Sequence, residues 1–280
     1  MKLEVAIDKA FKELKKRNIK TAMLDTELLM SKAINKDREF IILNLKNEID
    51  EKDYQYFQKM INERSKGKPI AYLTNKKFFW KYEFDIVENV LIPRPDTEIL
   101  VEQVLNIYKN KNKINFLDIG TGSGCILLSI LKERKDFFAT GIDISDDAIK
   151  ICKINAYKLG VKNRVKLFKS DIDNFSNGKY DLIISNPPYI KNLDLKCLEK
   201  DVINFEPKLA LNGGLEGITE IKKVINKSAK LIKKNGKLIL EIAFNQKEKV
   251  RQLLINNGFY VNMVIKDLAK NDRCIVSTKK

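Results

Sequence analysis

Residues 1–66 set apolar and polar positions at helical spacing. Leu3, Ile7, Ala10, Phe11 and Leu14 recur every three or four residues and form one apolar stripe. Thr21 can cap a second helix carrying Leu24, Leu28 and Ala33. Asp37 can cap a short third with Phe40, Ile41 and Leu43. Asp50 can cap a fourth with Tyr54, Phe57, Met60 and Ile61. Gly67 and Pro69 then interrupt the pattern. Residues 70–92 hold Phe78, Phe79, Trp80, Tyr82, Phe84, Ile86 and Val87, which predicts a β-hairpin or extended connector.

From residue 114 short apolar runs alternate with helical patterns. Strands are predicted at 114–118, 137–143, 163–169, 180–185, 237–243, 259–266 and 273–278. Helices are predicted near 96–109, 124–134, 146–159, 216–234 and 246–257. Such alternation gives a mostly parallel sheet with helices on both faces. Ligands of such sheets bind at the carboxyl ends of the strands, near the point where strand order reverses. The expected division is a helical bundle at 1–68, a hairpin connector at 69–92 and an α/β domain at 93–280.

Composition narrows the chemistry. The chain has 280 residues, 44% hydrophobic and 32% charged, and no histidine. That removes Ser-His-Asp and Cys-His arrangements, His-ligated zinc and imidazole proton shuttles. No apolar run is long enough to cross a membrane. Cys125, Cys152, Cys197 and Cys274 are scattered with no CxxC pair, which fits a reducing compartment better than a disulfide framework or a thiolate metal site. The first residues lack a signal peptide's apolar core, and Glu4, Asp8 and Glu13 argue against a transit peptide. A cytoplasmic protein without a metal is expected. The net charge is +16, but only 8 of 53 basic residues are Arg. Arg is the usual reader of base edges and phosphate forks, so a general Lys-rich surface is favoured over a nucleic-acid groove.

Candidate chemistry lies just after the strands. Asp118-Ile119-Gly120-Thr121-Gly122-Ser123-Gly124 follows the first strand of the alternating region and opens a helix. The dinucleotide fingerprint G-x-G-x-x-G would need glycine at 125, where this chain has Cys125. The D-x-G-x-G-x-G spacing instead resembles the first motif of Rossmann-like S-adenosylmethionine methyltransferases. The alternative is an ordinary Gly-rich turn. Asp143, ending the second strand, can accept from both hydroxyls of a ribose. Its alternative role as a helix cap is better served by Ser145, Asp146 and Asp147. Asp171 can accept from an adenine amine and Ile172 can cover the ring, or Asp171 is a plain loop residue.

Ser185 is followed by Asn186-Pro187-Pro188-Tyr189. Two prolines fix two φ angles and remove two backbone donors, giving a stiff turn rich in carbonyls. A planar nitrogen with two hydrogens can donate one to Asn186 and one to the Pro188 carbonyl, with Tyr189 packed on the planar group. Alone, a proline turn ending a strand is common. With the glycine loop upstream, the segment resembles the catalytic motif of methyltransferases that modify adenine amines or glutamine amides. Such nitrogens are poor nucleophiles because their lone pairs are delocalised. Holding both hydrogens favours a pyramidal nitrogen with a freer lone pair. The remaining task is alignment and charge stabilisation, which needs no strong general base.

The flanking segments choose between those amines. Leu91-Ile92-Pro93-Arg94-Pro95-Asp96-Thr97-Glu98, Glu206-Pro207, Ala210-Leu211 and Gly213-Gly214-Leu215-Glu216-Gly217 join Asp267-Leu268-Ala269, Asp272-Arg273, Pro69-Ile70-Ala71-Tyr72-Leu73 and Phe79-Trp80. Together they resemble the HemK/PrmC family of peptide chain release factor glutamine methyltransferases over essentially the whole chain. The resemblance implies an α/β, Rossmann-like S-adenosylmethionine-dependent methyltransferase with a seven-stranded, mostly parallel sheet behind a small all-helical domain. It implies S-adenosyl-L-methionine as cofactor, held by Asp118, Gly120, Thr121, Gly122, Gly124, Asp143, Asp171, Ile172 and Asn186. Asn186, Pro187, Pro188 and Tyr189 would be catalytic, with Arg94 and Pro95 joining Asn186, Pro188 and Tyr189 against the substrate. The substrate implied is the glutamine of the Gly-Gly-Gln loop of class-1 release factors, gripped by the helical domain of a monomeric enzyme with no stable nucleic-acid partner. Pro93-Arg94-Pro95 is stiff enough to line a pocket wall, Asp96 or Thr97 can cap the next helix, and Glu206-Pro207 can buttress Tyr189; Arg94 and Glu98 can instead serve only structural pairing. Two alternatives remain open in the sequence: an adenine methyltransferase acting on DNA or RNA, which must flip its base, and a non-catalytic cofactor-binding assembly factor.

Overall fold

The computed structural model describes all 280 residues. In chain order the elements are α1 (Leu3–Lys16), α2 (Ala22–Ile34), α3 (Arg38–Leu43), α4 (Glu51–Ser65), α5 (Ile70–Thr74), β1 (Lys76–Phe79), β2 (Tyr82–Asp85), α6 (Glu98–Ile107), β3 (Asn115–Ile119), α7 (Cys125–Glu133), β4 (Phe138–Asp143), α8 (Asp146–Lys158), β5 (Val165–Lys169), β6 (Tyr180–Ser185), α9 (Lys200–Phe205), α10 (Thr219–Leu231), β7 (Ile232–Glu241), α11 (Lys247–Asn256), β8 (Phe259–Lys266) and β9 (Asp272–Lys279). Short 3-10 turns cover Pro95–Thr97, Lys162–Arg164, Asp194–Cys197 and Lys208–Ala210. The chain divides into two compact units. The smaller comprises Met1–Lys76 with Glu199–Phe205, the larger Lys77–Leu198 with Glu206–Lys280.

The smaller unit is built by its amphipathic stripes. Leu3, Ile7, Ala10 and Leu14 of α1 bury against Leu29 and Met30 of α2 and Phe57, Met60 and Ile61 of α4. Burying each large aliphatic or aromatic side chain contributes roughly 1.5–3 kcal/mol, which is what makes these short helices persist. Asp37 caps α3, accepting from the Phe40 amide at 2.7 Å. Thr21 and Asp50 occupy the N-cap positions of α2 and α4, but neither side chain bonds the helix. Arg64 of α4 donates to Asp25 of α2 at 2.7 Å and to Asp201 of α9 at 3.2 Å. That ion pairing is one reason the 199–205 segment belongs to this unit, although the sequence reading kept it within an undivided 93–280 domain.

One further expectation changes here. Residues 70–74 are a short helix rather than an extended connector. Proline suits the start of a helix, so Pro69 opens this turn, and burial of Ala71, Tyr72 and Leu73 sustains it. Asn75 ends it in the left-handed region at φ 60°. The hairpin of β1 and β2 then turns through Trp80 and Lys81, with Trp80 at φ 57° and its amide donating to Glu98 Oε1 at 2.8 Å.

In the larger unit the sheet order is β5-β4-β3-β6-β7-β9-β8. The first five are parallel, and β9 runs antiparallel between β7 and β8. The order reverses between β3 and β6, so their carboxyl ends open a crevice there. β7 begins at Ile232 rather than 237, its pairing with β6 shifting register between Tyr180 and Leu182. Leu117, Ile183, Leu238, Leu240 and Ile275 of the sheet pack with Ile221, Val224 and Ile225 of α10 and Val250 and Leu254 of α11.

Candidate active site

The crevice is a cavity of about 410 Å³. Its walls come from Gly120–Ser123 after β3, Ile142–Ser145 after β4, Ser170–Ile172 after β5 and Ser185–Pro188 after β6. Pro93, Arg94 and Thr97 close one side; Leu209, Asn212, Glu220 and Lys223 close another. Each strand ends by handing its next residues to this space, which is why motifs far apart in sequence meet.

The loop after β3 is held from both neighbours. Gly120 and Thr121 donate backbone N–H groups to the Ile142 carbonyl at 2.9 and 3.0 Å. Gly122 donates to Asp143 Oδ2 at 2.9 Å, and Ser145 donates to Asp143 Oδ1, also at 2.9 Å. Burial raises the Asp143 pKa, and those backbone N–H groups oppose the rise. Ser145 caps α8 through Ala148, leaving Asp143 on the cavity wall. Gly120, Gly122 and Gly124 all have positive φ. A side chain on Gly120 would meet no protein atom within 4 Å and would project into open space.

Asp118 and Gly124 do not reach the cavity. Asp118 is fully buried beneath the loop, accepting from Thr121 Oγ1 at 2.8 Å while its Oδ1 has no partner. Burial pushes its pKa to about 7; Thr121 opposes this and the Asp143 charge adds to it. Gly124 is a packing position, since a Cβ there would stand 2.6 Å from Cys152 Sγ and 2.8 Å from Leu128.

After β6, Asn186 Nδ2 donates to Thr97 Oγ1 at 3.1 Å. Neither Asn186 Oδ1 nor the Pro188 carbonyl accepts a bond within the chain. Tyr189 departs from expectation. It is not on the cavity wall; its hydroxyl donates to Glu241 Oε1 at 3.1 Å and its ring packs against the sheet core. Glu206 does not buttress it either. Glu206 accepts from Arg94 Nη2 at 2.5 Å and from the Ile92 amide at 3.3 Å, so it fixes the Pro93-Arg94-Pro95 wall instead. Arg94 lines the cavity and Pro95 does not.

Sequence reasoning missed Glu241 and Gln246 and treated Thr97 only as a cap. Gln246 Nε2 donates to the Tyr189 carbonyl at 3.1 Å and the Gly217 carbonyl at 2.8 Å, clamping the turn from behind. Glu241 is an acid closing the apolar run Leu238-Ile239-Leu240 and is 1% exposed. An acid in such a run is rarely buried without a task, and that was the available signal. Burial raises its pKa, while Thr97, Tyr189 and Arg273 hold it down.

Comparison with known proteins fits this arrangement. A methyltransferase-domain model matches residues 110–275 and a PrmC N-terminal domain model matches residues 6–74. A release factor glutamine methyltransferase of Clostridium acetobutylicum is 39% identical, covering 100% of this chain and 99% of that protein. The chain belongs to the release factor glutamine methyltransferase family. Another member, from Buchnera aphidicola subsp. Schizaphis graminum, is 36% identical with both chains covered in full. A bifunctional methyltransferase of Rickettsia typhi is 35% identical, and the chain spans 56% of its length. A solved ribosomal protein L11 methylase from Lactobacillus delbrueckii subsp. bulgaricus shares the fold, with TM-score 0.51 at 20% identity, over 68% of this chain and 82% of that one.

The methyltransferase depends on S-adenosylmethionine, and the cavity suits that molecule. It offers a carboxylate for a ribose diol at Asp143, apolar Ile144 and Ile172, a Gly120 wall free of side-chain bulk, and room for a nucleoside. No group of three or more His, Cys, Asp or Glu side chains is placed to hold a metal ion, and no helix is long and apolar enough to cross a membrane.

Proposed function

We propose that this enzyme methylates the side-chain amide nitrogen of the glutamine in the Gly-Gly-Gln loop of class-1 peptide chain release factors. The observation that carries the reading is the pair of open acceptors, Asn186 Oδ1 and the Pro188 carbonyl, on a stiff turn beside a nucleoside-sized cavity.

Bound in the cavity, S-adenosylmethionine supplies an electrophilic methyl group. Asp143 is the proposed acceptor for its ribose hydroxyls, Asp171 accepts from its adenine amine, Ile172 covers the ring, and Gly120, Thr121, Gly122 and Asn186 line the space for the remainder. Asp118 and Gly124 support the loop from below. Asn186 Oδ1 and the Pro188 carbonyl accept the two hydrogens of the substrate amide, which turns its nitrogen lone pair toward the cofactor side of the cavity. Arg94, held by Glu206, and Pro95 stiffen the opposite wall. Tyr189 acts from behind the turn by anchoring it to Glu241. Positive charge arising on nitrogen is stabilised by those two carbonyl dipoles, and the surplus proton passes to solvent once nitrogen becomes acidic. The helical unit is the proposed grip on the release factor, in the cytoplasm where translation runs. A single copy working without a metal is part of this proposal.

Asn186→Ala should lower kcat on the order of 10²-fold or more, a larger effect than its effect on cofactor affinity. Mass spectrometry of release-factor peptides after timed reactions measures this, with DNA and ribosomal RNA as competing acceptors. Near-normal turnover by that variant, or label on nucleic acid alone, would overturn the reading.

A further inference from the structure

We propose that Glu241 and Thr97 are positioning residues that decide which end of the Asn186 amide faces the cavity. This deepens the reading above and rests on it.

An asparagine amide has a carbonyl end and an NH2 end of nearly equal size. Packing scarcely distinguishes them, so hydrogen-bond partners must. Only the carbonyl end can accept from a substrate amide. The reversed orientation would set donor against donor at the reacting nitrogen. Asn186 Nδ2 meets Thr97 Oγ1 at 3.1 Å, but a hydroxyl can donate or accept and by itself permits either orientation.

Glu241 removes that freedom. It is the last residue of β7, and the preceding pair, Ser185 with Leu240, brings it level with Asn186. Its Oε1 is taken by the Tyr189 hydroxyl. Its Oε2 is buried with no hydrogen-bond partner and so is an open acceptor, and the Thr97 hydroxyl neighbours the carboxyl. A carboxylate only accepts, so the single Thr97 proton is directed to it. The Thr97 oxygen is then left to accept, and Asn186 must offer it NH2. The carbonyl end therefore points into the cavity before any substrate arrives. The relay operates with Glu241 ionised: burial raises its pKa, and Thr97, Tyr189 and Arg273 on β9 act against that rise. The same carboxylate anchors Tyr189, so it sets both ends of the Asn186–Tyr189 turn.

A glutamine at 241 has an NH2 group that can donate to Thr97. The Thr97 proton can then turn to Asn186 Oδ1 and reverse the amide. Valine at 97 removes the relay at nearly constant volume, whereas serine keeps it. Glu241→Gln and Thr97→Val should each lower kcat for release-factor methylation by about tenfold or more, with KM for the release factor within about threefold. Thr97→Ser should keep kcat within about threefold of the unaltered enzyme, and the Thr97→Val/Glu241→Gln pair should lose little more than the worse single change. Cofactor titration calorimetry on each variant reports whether the fold is intact. Normal turnover by Thr97→Val overturns the proposal, as does a Thr97→Ser enzyme as slow as Thr97→Val, because packing rather than the proton would then matter. If Glu241→Gln does not fold, the two Thr97 variants decide. If Asn186→Ala itself turns over normally, the functional reading fails instead; if Asn186→Ala is dead and Thr97→Val is normal, only the relay fails.

Discussion

Asp118 sits under the glycine loop, fully buried, with one oxygen paired to Thr121 and the other unpaired. Its folded pKa of about 7 lies well above the unfolded value of about 3.9. The folded chain therefore binds this proton more tightly. The stability it adds is complete below about pH 4 and is lost as pH rises through 7. Asparagine imitates the neutral acid. Asp118→Asn should accordingly gain stability relative to the unaltered protein between about pH 5 and pH 8, in urea unfolding without cofactor; a difference that stays flat across that window counts against it. The sequence located Asp118 but not its depth. Spacing marks an acid beside a glycine loop without telling a residue that touches the ligand from one that carries the loop. Tyr189 posed the same problem. The proline turn was legible, but the direction of its last ring depends on Glu241, which arrives from another strand.

Among elements, the strands were the most readable, because buried parallel strands are short apolar runs with clear ends. The stretch between Tyr189 and α10 was not. Residues 190–218 carry no period, and part of their shape comes from bonds between the residues just after the Asn186–Tyr189 turn and residues 211–214. Ile190 donates to the Leu211 carbonyl at 3.0 Å, Gly213 donates to the Ile190 carbonyl at 2.8 Å, and Asn192 donates to the Gly214 carbonyl at 3.0 Å. Gly213 lets the two segments touch. A Cβ there would stand 2.7 Å from Tyr189 Cα and from the Gly217 carbonyl oxygen, and 2.8 Å from the Pro188 carbonyl oxygen. These are backbone atoms that cannot swing aside. Gly213→Ala should therefore cost about 1–3 kcal/mol of stability and shift the turn enough to slow catalysis more than it weakens cofactor binding. Unfolding midpoints paired with kcat and cofactor Kd test this; an alanine enzyme with normal kcat would show that the close approach is dispensable.

For the molecule as a whole, helical spacing in the first 66 residues and the alternating pattern after 114 announced two kinds of architecture. The return of 199–205 to the smaller unit was invisible, since it rests on contacts such as that of Asp201 with Arg64, distant in sequence. That side chain is 10% exposed and faces Asp25, 3% exposed, with Asp201 as a more open second partner. Arg64→Met should destabilise the protein by about 3–5 kcal/mol, because Asp25 keeps a buried charge without its partner. Adding Asp25→Leu should recover much of that loss in urea unfolding, and a double variant as weak as the single would count against the charge argument.

The helix at Lys200–Phe205 also bears on how such genes can recombine. A cut after Lys76 separates the first helices from a piece of their own unit encoded more than a hundred codons later. Neither fragment then carries the smaller unit entire. Exchange of that unit between relatives would require two matched gene segments to travel together, which ties the inheritance of variants in the helical unit to the stretch that runs into Glu206 and the cavity wall.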